Sequence, residues 1–377
     1  MPTCSRFDRR RFMRILGASA GCLSVSSAAR LARAAEEASE SLAIEDYFPT
    51  FAERAELGMR FTGRTADECR AWQATFAAKL RELMGPTEPP KTWRTNLETT
   101  VELSDHTREE RVLSADGLAP VPFHLLIPRD TSGPRPLILA LHGHGDFGHE
   151  SITGVDTTPE RRAEIDKYRY DYGLRFVQRG YVVAAPCLAP FGRRKDAKSD
   201  RRTACDHAFL QLLICGKILQ GENVRDVRWT LEEALRHPRV DGDRVACVGL
   251  SYGGRTTMFT TALEPRIKAA VISGALNCLQ ERAMSRNTSG CQLVPGLLEF
   301  GDTPEVGSLI APRPAVWETG RQDRNMMIPG WTERAMDRMA RAYTALGAAD
   351  NLRRDTFDGG HQWNGEVAYP ILEKALA

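Results

Sequence analysis

Arg244-Val245-Ala246-Cys247-Val248-Gly249-Leu250-Ser251-Tyr252-Gly253 is the stretch whose reading decides the fold. Its first half is a short apolar run, as a strand buried on both faces requires. Its second half is a G-x-S-x-G pattern, and the helical spacing of Thr256–Leu263 follows at once. Strand, sharp turn and helix in that order give the pattern a physical meaning. Only glycine tolerates the close approach at both flanks of so tight a turn, which lifts the Ser251 hydroxyl above the sheet edge. The helix N-terminus beneath it favours negative charge.

Working outward, further apolar runs predict strands at Leu137–Leu141, Tyr181–Ala185, Ala269–Ile272 and Pro314–Trp317. Helical stretches at Tyr172–Arg179, Val224–Arg236 and Thr332–Leu346 fall between or after them. Alternation of buried strands with helices argues for an α/β fold, a mostly parallel central sheet with helices on both faces. Residues 96–128 alternate in β fashion around an Asp116-Gly117 turn, which suggests early antiparallel strands. Before them, Trp72, Phe76, Leu80 and Leu83 recur at three- and four-residue steps, the pattern of one buried helix face. The simplest division is an N-terminal helical extension over 35–95 and a catalytic domain over 96–377.

A serine hydroxyl is a poor nucleophile at neutral pH, so a base must take its proton and a third group must orient that base. Asp323 follows the predicted strand at 314–317, and His361 follows Gly359-Gly360 near the C-terminus. They supply the acid and the base in the order serine, acid, histidine. Asp358 is a competing acid. An oxyanion also needs two backbone donors aimed at it. The Tyr252 amide is one candidate. The His144 amide, in the His142-Gly143-His144-Gly145 loop after strand 137–141, is the other. His142, His144 and Asp146 also spell H-x-H-x-D, the opening of a two-zinc site, but Phe147 stands where that pattern continues with histidine. No well-placed set of further ligands completes it, so no metal or other cofactor is expected.

Taken together, HGHG, GLSYG, GRQD and GGH resemble the α/β-hydrolase superfamily over roughly residues 96–377. The long helical lead, the Gly221–Trp229 approach to the nucleophile strand and the Cys278–Gly296 region are similar to its acetyl xylan esterase and dienelactone hydrolase-like branch. The resemblance implies a serine esterase acting on carboxylic esters, often of acetylated sugars. Dienelactone hydrolases use cysteine where this chain has Ser251. The rival readings are a serine peptidase of the prolyl-oligopeptidase type, whose usual N-terminal propeller this chain is too short to hold, and a non-catalytic binding protein of the same fold.

Substrate contacts are expected from two places. Residues 192–202 carry six cations and two acids, so Arg193 or Arg194 could bind an anionic or uronate-bearing ester. Trp363, two residues after His361, could stack on a sugar ring or pack inside.

At the start of the chain, Arg9-Arg10-Arg11-Phe12-Met13 resembles the twin-arginine export signature. A small-residue stretch and Ala32-Arg33-Ala34 follow it. Residues 1–34 therefore read as a signal peptide for the twin-arginine machinery, which implies a periplasmic or secreted product. That segment holds seven arginines against Asp8, and taking its +6 from the chain's +2 leaves −4. A mildly acidic remainder has no field to attract nucleic acid or anionic lipid. No apolar run is long enough to imply stable membrane insertion after cleavage. Of nine cysteines, Cys4 and Cys22 leave with the signal, and the remaining seven do not read as a disulfide framework. Cys278 and Cys291 flank a polar loop and are the pair considered for a bond.

Overall fold

In β4 (Arg135–Leu141) successive residues divide between two faces. Leu137, Leu139 and Leu141 enter one apolar cluster, while Ile138 and Ala140 enter another. This is the two-residue period of a strand with both sides covered. The first cluster is sealed by Val227, Trp229 and Leu231 of helix Leu219–Ala234. The second is sealed by Tyr172, Phe176 and Val177 of helix Tyr172–Val177, with Ala368 and Leu372 of helix Ala368–Ala375. Helices therefore lie on both faces, because neither face carries side chains that could meet water.

The computed structural model describes residues 43–129, 132–285 and 288–377. The arginine-rich segment 1–34 and residues 35–42 lie outside the described residues. The chain divides into a unit ending at Phe48, in which Ile44–Tyr47 form a 3-10 turn, and a unit of Pro49–Ala377 that holds everything below.

The sheet has nine strands in the order β1-β2-β3-β5-β4-β6-β7-β8-β9. The first three, β1 (Arg94–Glu102), β2 (His106–Ser114) and β3 (Val121–Pro128), form an antiparallel meander that joins β5 (Val182–Pro186). From β5 onward all pairings are parallel, through β4, β6 (Val240–Leu250), β7 (Ile267–Ser273), β8 (Ala315–Gly320) and β9 (Leu352–Phe357). The chain leaves β4 to form β5 on one side, and later returns to form β6 on the other. Such a reversal opens a crevice at the carboxyl end of β4, the usual place for a site in this class of sheet.

Helix Ala66–Met84 is started by a capping box in which Thr65 and Glu68 exchange side-chain and backbone bonds. Its buried face, Phe76, Leu80 and Met84, joins a core with Met258, Trp317 and Met339. The helical periodicity read at 72–83 thus belongs to a helix built into the main core. Among the described residues no helix is long and apolar enough to cross a membrane.

The structure corrects the cysteine reading. Cys291 is bonded to Cys205, 86 residues away, with Cα atoms 5.5 Å apart. Cys278 is free and buried in the core beside Met258 and Leu276. Cys205 lies on helix Arg201–Ile214, whose first residues the sequence reading had placed at the end of a basic loop.

Candidate active site

Ser251 sits at the carboxyl end of β6, immediately before helix Tyr252–Leu263. Its backbone is at φ 62° and ψ −121°, a conformation that costs a residue with a side chain roughly 1–3 kcal/mol. The neighbours enforce it. The Ser251 amide donates to the Ser273 carbonyl at the end of β7 (2.8 Å), and the Ser251 carbonyl accepts from the Arg255 amide (3.0 Å). A methyl group on Gly253 would overlap the Leu141 carbonyl of β4, so the second glycine of G-x-S-x-G is a packing requirement. The helix is tied down in turn, because the Tyr252 hydroxyl accepts from Asn223 Nδ2 (2.8 Å) on helix Leu219–Ala234.

His361 and Asp323 come from the loops after β9 and β8. His361 Nδ1 lies 2.5 Å from Asp323 Oδ2, and Asp323 is buried. The two loops are stitched together by backbone: the Arg321 amide donates to the Phe357 carbonyl (2.9 Å) and the Gln322 amide to the Gly359 carbonyl (3.0 Å). Asp358 takes no part. Its side chain is 87% exposed and pairs with Arg321 at 3.1 Å. Because Nδ1 faces Asp323, Nε2 is the nitrogen left to serve the cavity that His361 and Ser251 both line. Gly274 lies beneath the ring, which approaches it so closely that a Cβ there would stand 2.9 Å from His361 Cε1.

The sequence reading missed the groups that brace the His361 loop. The Gly365 amide donates to Glu318 (2.8 Å), Asn364 donates to Asp355 (2.8 Å) and the Trp363 amide donates to the Tyr168 carbonyl (3.0 Å). Glu318 is fully buried in β8, and desolvation pushes its carboxyl up to about 7. A lone acid inside an otherwise apolar strand, Val316-Trp317-Glu318, was the available signal.

On the β4 side, His142 is fully buried and both its ring nitrogens are used. Nε2 accepts from the Leu188 amide (2.8 Å), which puts the proton on Nδ1, where it donates to the Gly143 carbonyl (2.8 Å). Burial holds this imidazole down at about 4, so it stays neutral. Asp146 pairs with Lys195 at 3.2 Å at the surface. The H-x-H-x-D residues therefore do not converge on one point. The Gly143 amide donates to the Tyr170 hydroxyl, which commits it within the protein. The following amide, His144, is the next along the loop and its residue lines the cavity. Tyr168, Tyr170 and Tyr172 stand at alternate positions, the sequence signal for this part of the site.

The cavity has a volume of about 320 Å³ and is also lined by Cys205, Arg282, Ser289, Gln292 and Met326. That volume falls at the lower end of the range for small-molecule sites.

Three expected substrate contacts are placed elsewhere. Arg193 pairs with Glu98 on β1 (2.7 Å). Arg194 reaches inward to the buried Asp226 (2.8 Å) and the Cys187 carbonyl (3.1 Å). Neither lines the cavity, because buried or edge carboxylates already hold them. Trp363 is fully buried, stacked on Tyr172 with ring centroids 4.5 Å apart, so it packs and does not meet a ligand. Among the described residues the cation that lines the cavity is Arg282, on helix Leu279–Ser285, with its guanidinium on the Asn325 carbonyl. Among the described residues one cluster has metal-ligand chemistry, His144 with Cys205 and Cys291, and the first two of these line the cavity.

Comparison with known proteins follows the same lines. The model of an Abhydrolase family matches residues 53–357. A Bacillus subtilis protein provisionally named a hydrolase, YtaP, is 29% identical over 270 residues, 69% of this chain and 84% of its own length. A crystal structure from Bacteroides fragilis, provisionally named an acetyl xylan esterase, superposes with a TM-score of 0.75 at 19% identity, over 89% of this chain and 96% of that one. A glucuronoyl esterase from Teredinibacter turnerae superposes at 0.61 with 16% identity, over 86% and 90% of the two chains. At these identities the structural likenesses establish the shared α/β-hydrolase fold.

Proposed function

The chain belongs to that Abhydrolase family, and from this premise we propose that it is a serine carboxylic ester hydrolase acting on small, carbohydrate-type esters. The observation that carries the reading is the 2.5 Å contact between His361 and Asp323 at the rim of a cavity that Ser251 also lines. Esterase names among the structural neighbours support the choice of substrate class.

In this reading His361 Nε2 takes the proton of the Ser251 hydroxyl as the oxygen attacks the ester carbonyl. Asp323 holds the ring by Nδ1–H and stabilises the imidazolium. The tetrahedral oxyanion is held by the His144 and Tyr252 amides, a contribution of about 3–4 kcal/mol per donor to the barrier. His361 then gives its proton to the leaving alcohol, and water releases the acyl-enzyme by the reverse sequence. Arg282, and not the loop at 192–202, is the cation that meets the substrate.

Export by the twin-arginine route to the periplasm or beyond is part of the proposal and rests on the segment 1–34. A disulfide at Cys205–Cys291 suits an oxidising compartment.

A panel of p-nitrophenyl esters, acetylated xylan and methyl uronates, run against Ser251→Ala, tests the reading. Hydrolysis of at least one ester class, lost in the variant, supports it. Equal rates in both proteins would overturn it.

A further inference from the structure

One covalent link lies beside the cavity that Ser251 and Cys205 both line. Cys205 belongs to helix Arg201–Ile214 and Cys291 to the 3-10 turn Gly290–Gln292, and the bond between them joins segments 86 residues apart. The turn is fitted to the helix: the Gly290 amide donates to Asp206 (2.8 Å) and the Cys291 amide to Cys205 Sγ (3.3 Å). His144 Nε2 stands 3.2 Å from Cys291 Sγ, with the Ser289 hydroxyl 3.5 Å from the same nitrogen. The His144 ring is wedged between Phe191 and Tyr252, with centroids at 5.2 and 5.3 Å. All three donor atoms lie within 4.8 Å of one another, and Cys205 and His144 line the cavity.

We propose that His144, Cys205 and Cys291 form a thiol-gated site for a soft divalent cation of the zinc class, closed as the disulfide and opened by reduction. A disulfide sulfur is a poor ligand and a thiolate is a strong one. A dithiol reductant supplies two electrons: the S–S bond breaks, Cys205 and Cys291 become thiols, and the reductant becomes its own disulfide. A divalent cation then displaces one proton from each thiol and binds two thiolates and the neutral imidazole of His144. Tetrahedral zinc forms bonds of about 2.3 Å to sulfur and 2.0–2.1 Å to nitrogen, so the two sulfurs must separate once the bond between them is reduced. The separation of His144 Nε2 from Cys291 already approaches a ligand–ligand distance. Two sulfurs, one nitrogen and an open fourth position make the donor set of a soft-metal site.

The occupied site would act on the reaction through His144. Its ring would be anchored to the cation while its amide is the oxyanion donor, and the open coordination position would face the substrate. That consequence rests on the esterase reading. The metal site itself does not.

The experiment uses the full chain, air-oxidised or reduced with a phosphine that is then removed, and titrated with Co²⁺ or Zn²⁺ alone. The reduced protein is expected to take up one Co²⁺ with a thiolate-to-cobalt charge-transfer band. The oxidised protein and Cys205→Ser/Cys291→Ser, which keeps the other cysteines, should lack the band. With a hydrolysed ester as substrate, one equivalent of Zn²⁺ should lower the reduced enzyme's rate at least about tenfold and the oxidised enzyme's less than about twofold, with chelator restoring it. Equal cobalt spectra in the reduced wild type and the double variant would overturn the site. A normal spectrum without inhibition would overturn only its coupling to catalysis. An inactive protein that still shows the band would count against the esterase reading and leave the site standing.

Discussion

His361 Nδ1 and Asp323 Oδ2 meet at 2.5 Å across a gap of 38 residues, and they do so because β8 and β9 are parallel neighbours whose outgoing loops share backbone bonds. The pairing of these two side chains is thus a consequence of sheet order, and it discriminates between the candidate acids. Asp323→Asn should lower kcat/KM by about 10⁴, because the amide favours the wrong imidazole tautomer. Asp358→Asn, a change in an exposed side chain paired only with Arg321, should leave it within about threefold. Steady-state kinetics on one ester decides between them.

Gly143 packs against the turn that carries Ser251. A Cβ there would stand 2.7 Å from the Leu250 carbonyl and 2.8 Å from Ser251 Cβ. Gly143→Ala should push the His144 amide and Ser251 apart, lowering kcat about 100-fold or more, in line with loss of an oxyanion donor. A rate within tenfold of wild type, in a protein with unchanged circular dichroism, would count against the placement.

Arg194 and Trp363 should matter to folding. Asp226 is fully buried and holds Arg194 and Arg225. Arg194→Ala should therefore destabilise by about 1–3 kcal/mol, the cost of losing one hydrogen bond to a buried carboxylate that Arg225 still pairs. Trp363→Ala should cost about 3–5 kcal/mol through the cavity left beside Tyr172 and Phe176. Urea denaturation measures both. A change in substrate preference without loss of stability would restore them as ligand contacts.

Glu318 gives the protein a pH signature. Burial holds its carboxyl at about 7, whereas an unfolded chain ionises its glutamates at about 4.3. Between those values the unfolded state has lost a proton that the folded state keeps. Stability therefore falls as pH rises through this window and levels off above it. Glu318→Gln can still accept from the Gly365 amide but cannot ionise. Its stability should fall less than wild type between about pH 5 and about pH 8, by on the order of 1–3 kcal/mol. Denaturation midpoints at the two pH values provide the comparison, and parallel slopes would contradict it.

Much of the sheet was legible because its interior strands are continuous apolar runs, and β4, β6, β7 and β8 lie where such runs occur. The helix after Ser251 was legible through its G-x-S-x-G lead. β9 was not, since Leu352-Arg353-Arg354-Asp355-Thr356-Phe357 is an edge strand with polar residues on its open side. The residues proposed for chemistry could be picked out in order, because each follows a strand at the same edge. What surrounds them could not. The Cys205–Cys291 bond joins helix Arg201–Ile214 to a distant turn, and no spacing rule connects two such positions. The basic run at 192–202 looked like a ligand loop because its counter-charges, Glu98 and Asp226, are far away in sequence. Trp363 looked like a sugar platform because the partner that buries it, Tyr172, lies on a helix far away in sequence. Arg282 carries no local motif and is found only by seeing which side chains face the cavity.

The most direct test of the central claim is intact-protein and peptide mass spectrometry after treatment with a fluorophosphonate, a reagent that reacts with an activated serine. The account predicts one adduct, on Ser251, formed rapidly in wild type, absent from Ser251→Ala and slowed at least about 1000-fold in His361→Ala. An adduct on another residue, or labelling of Ser251 at the same rate without His361, would contradict it.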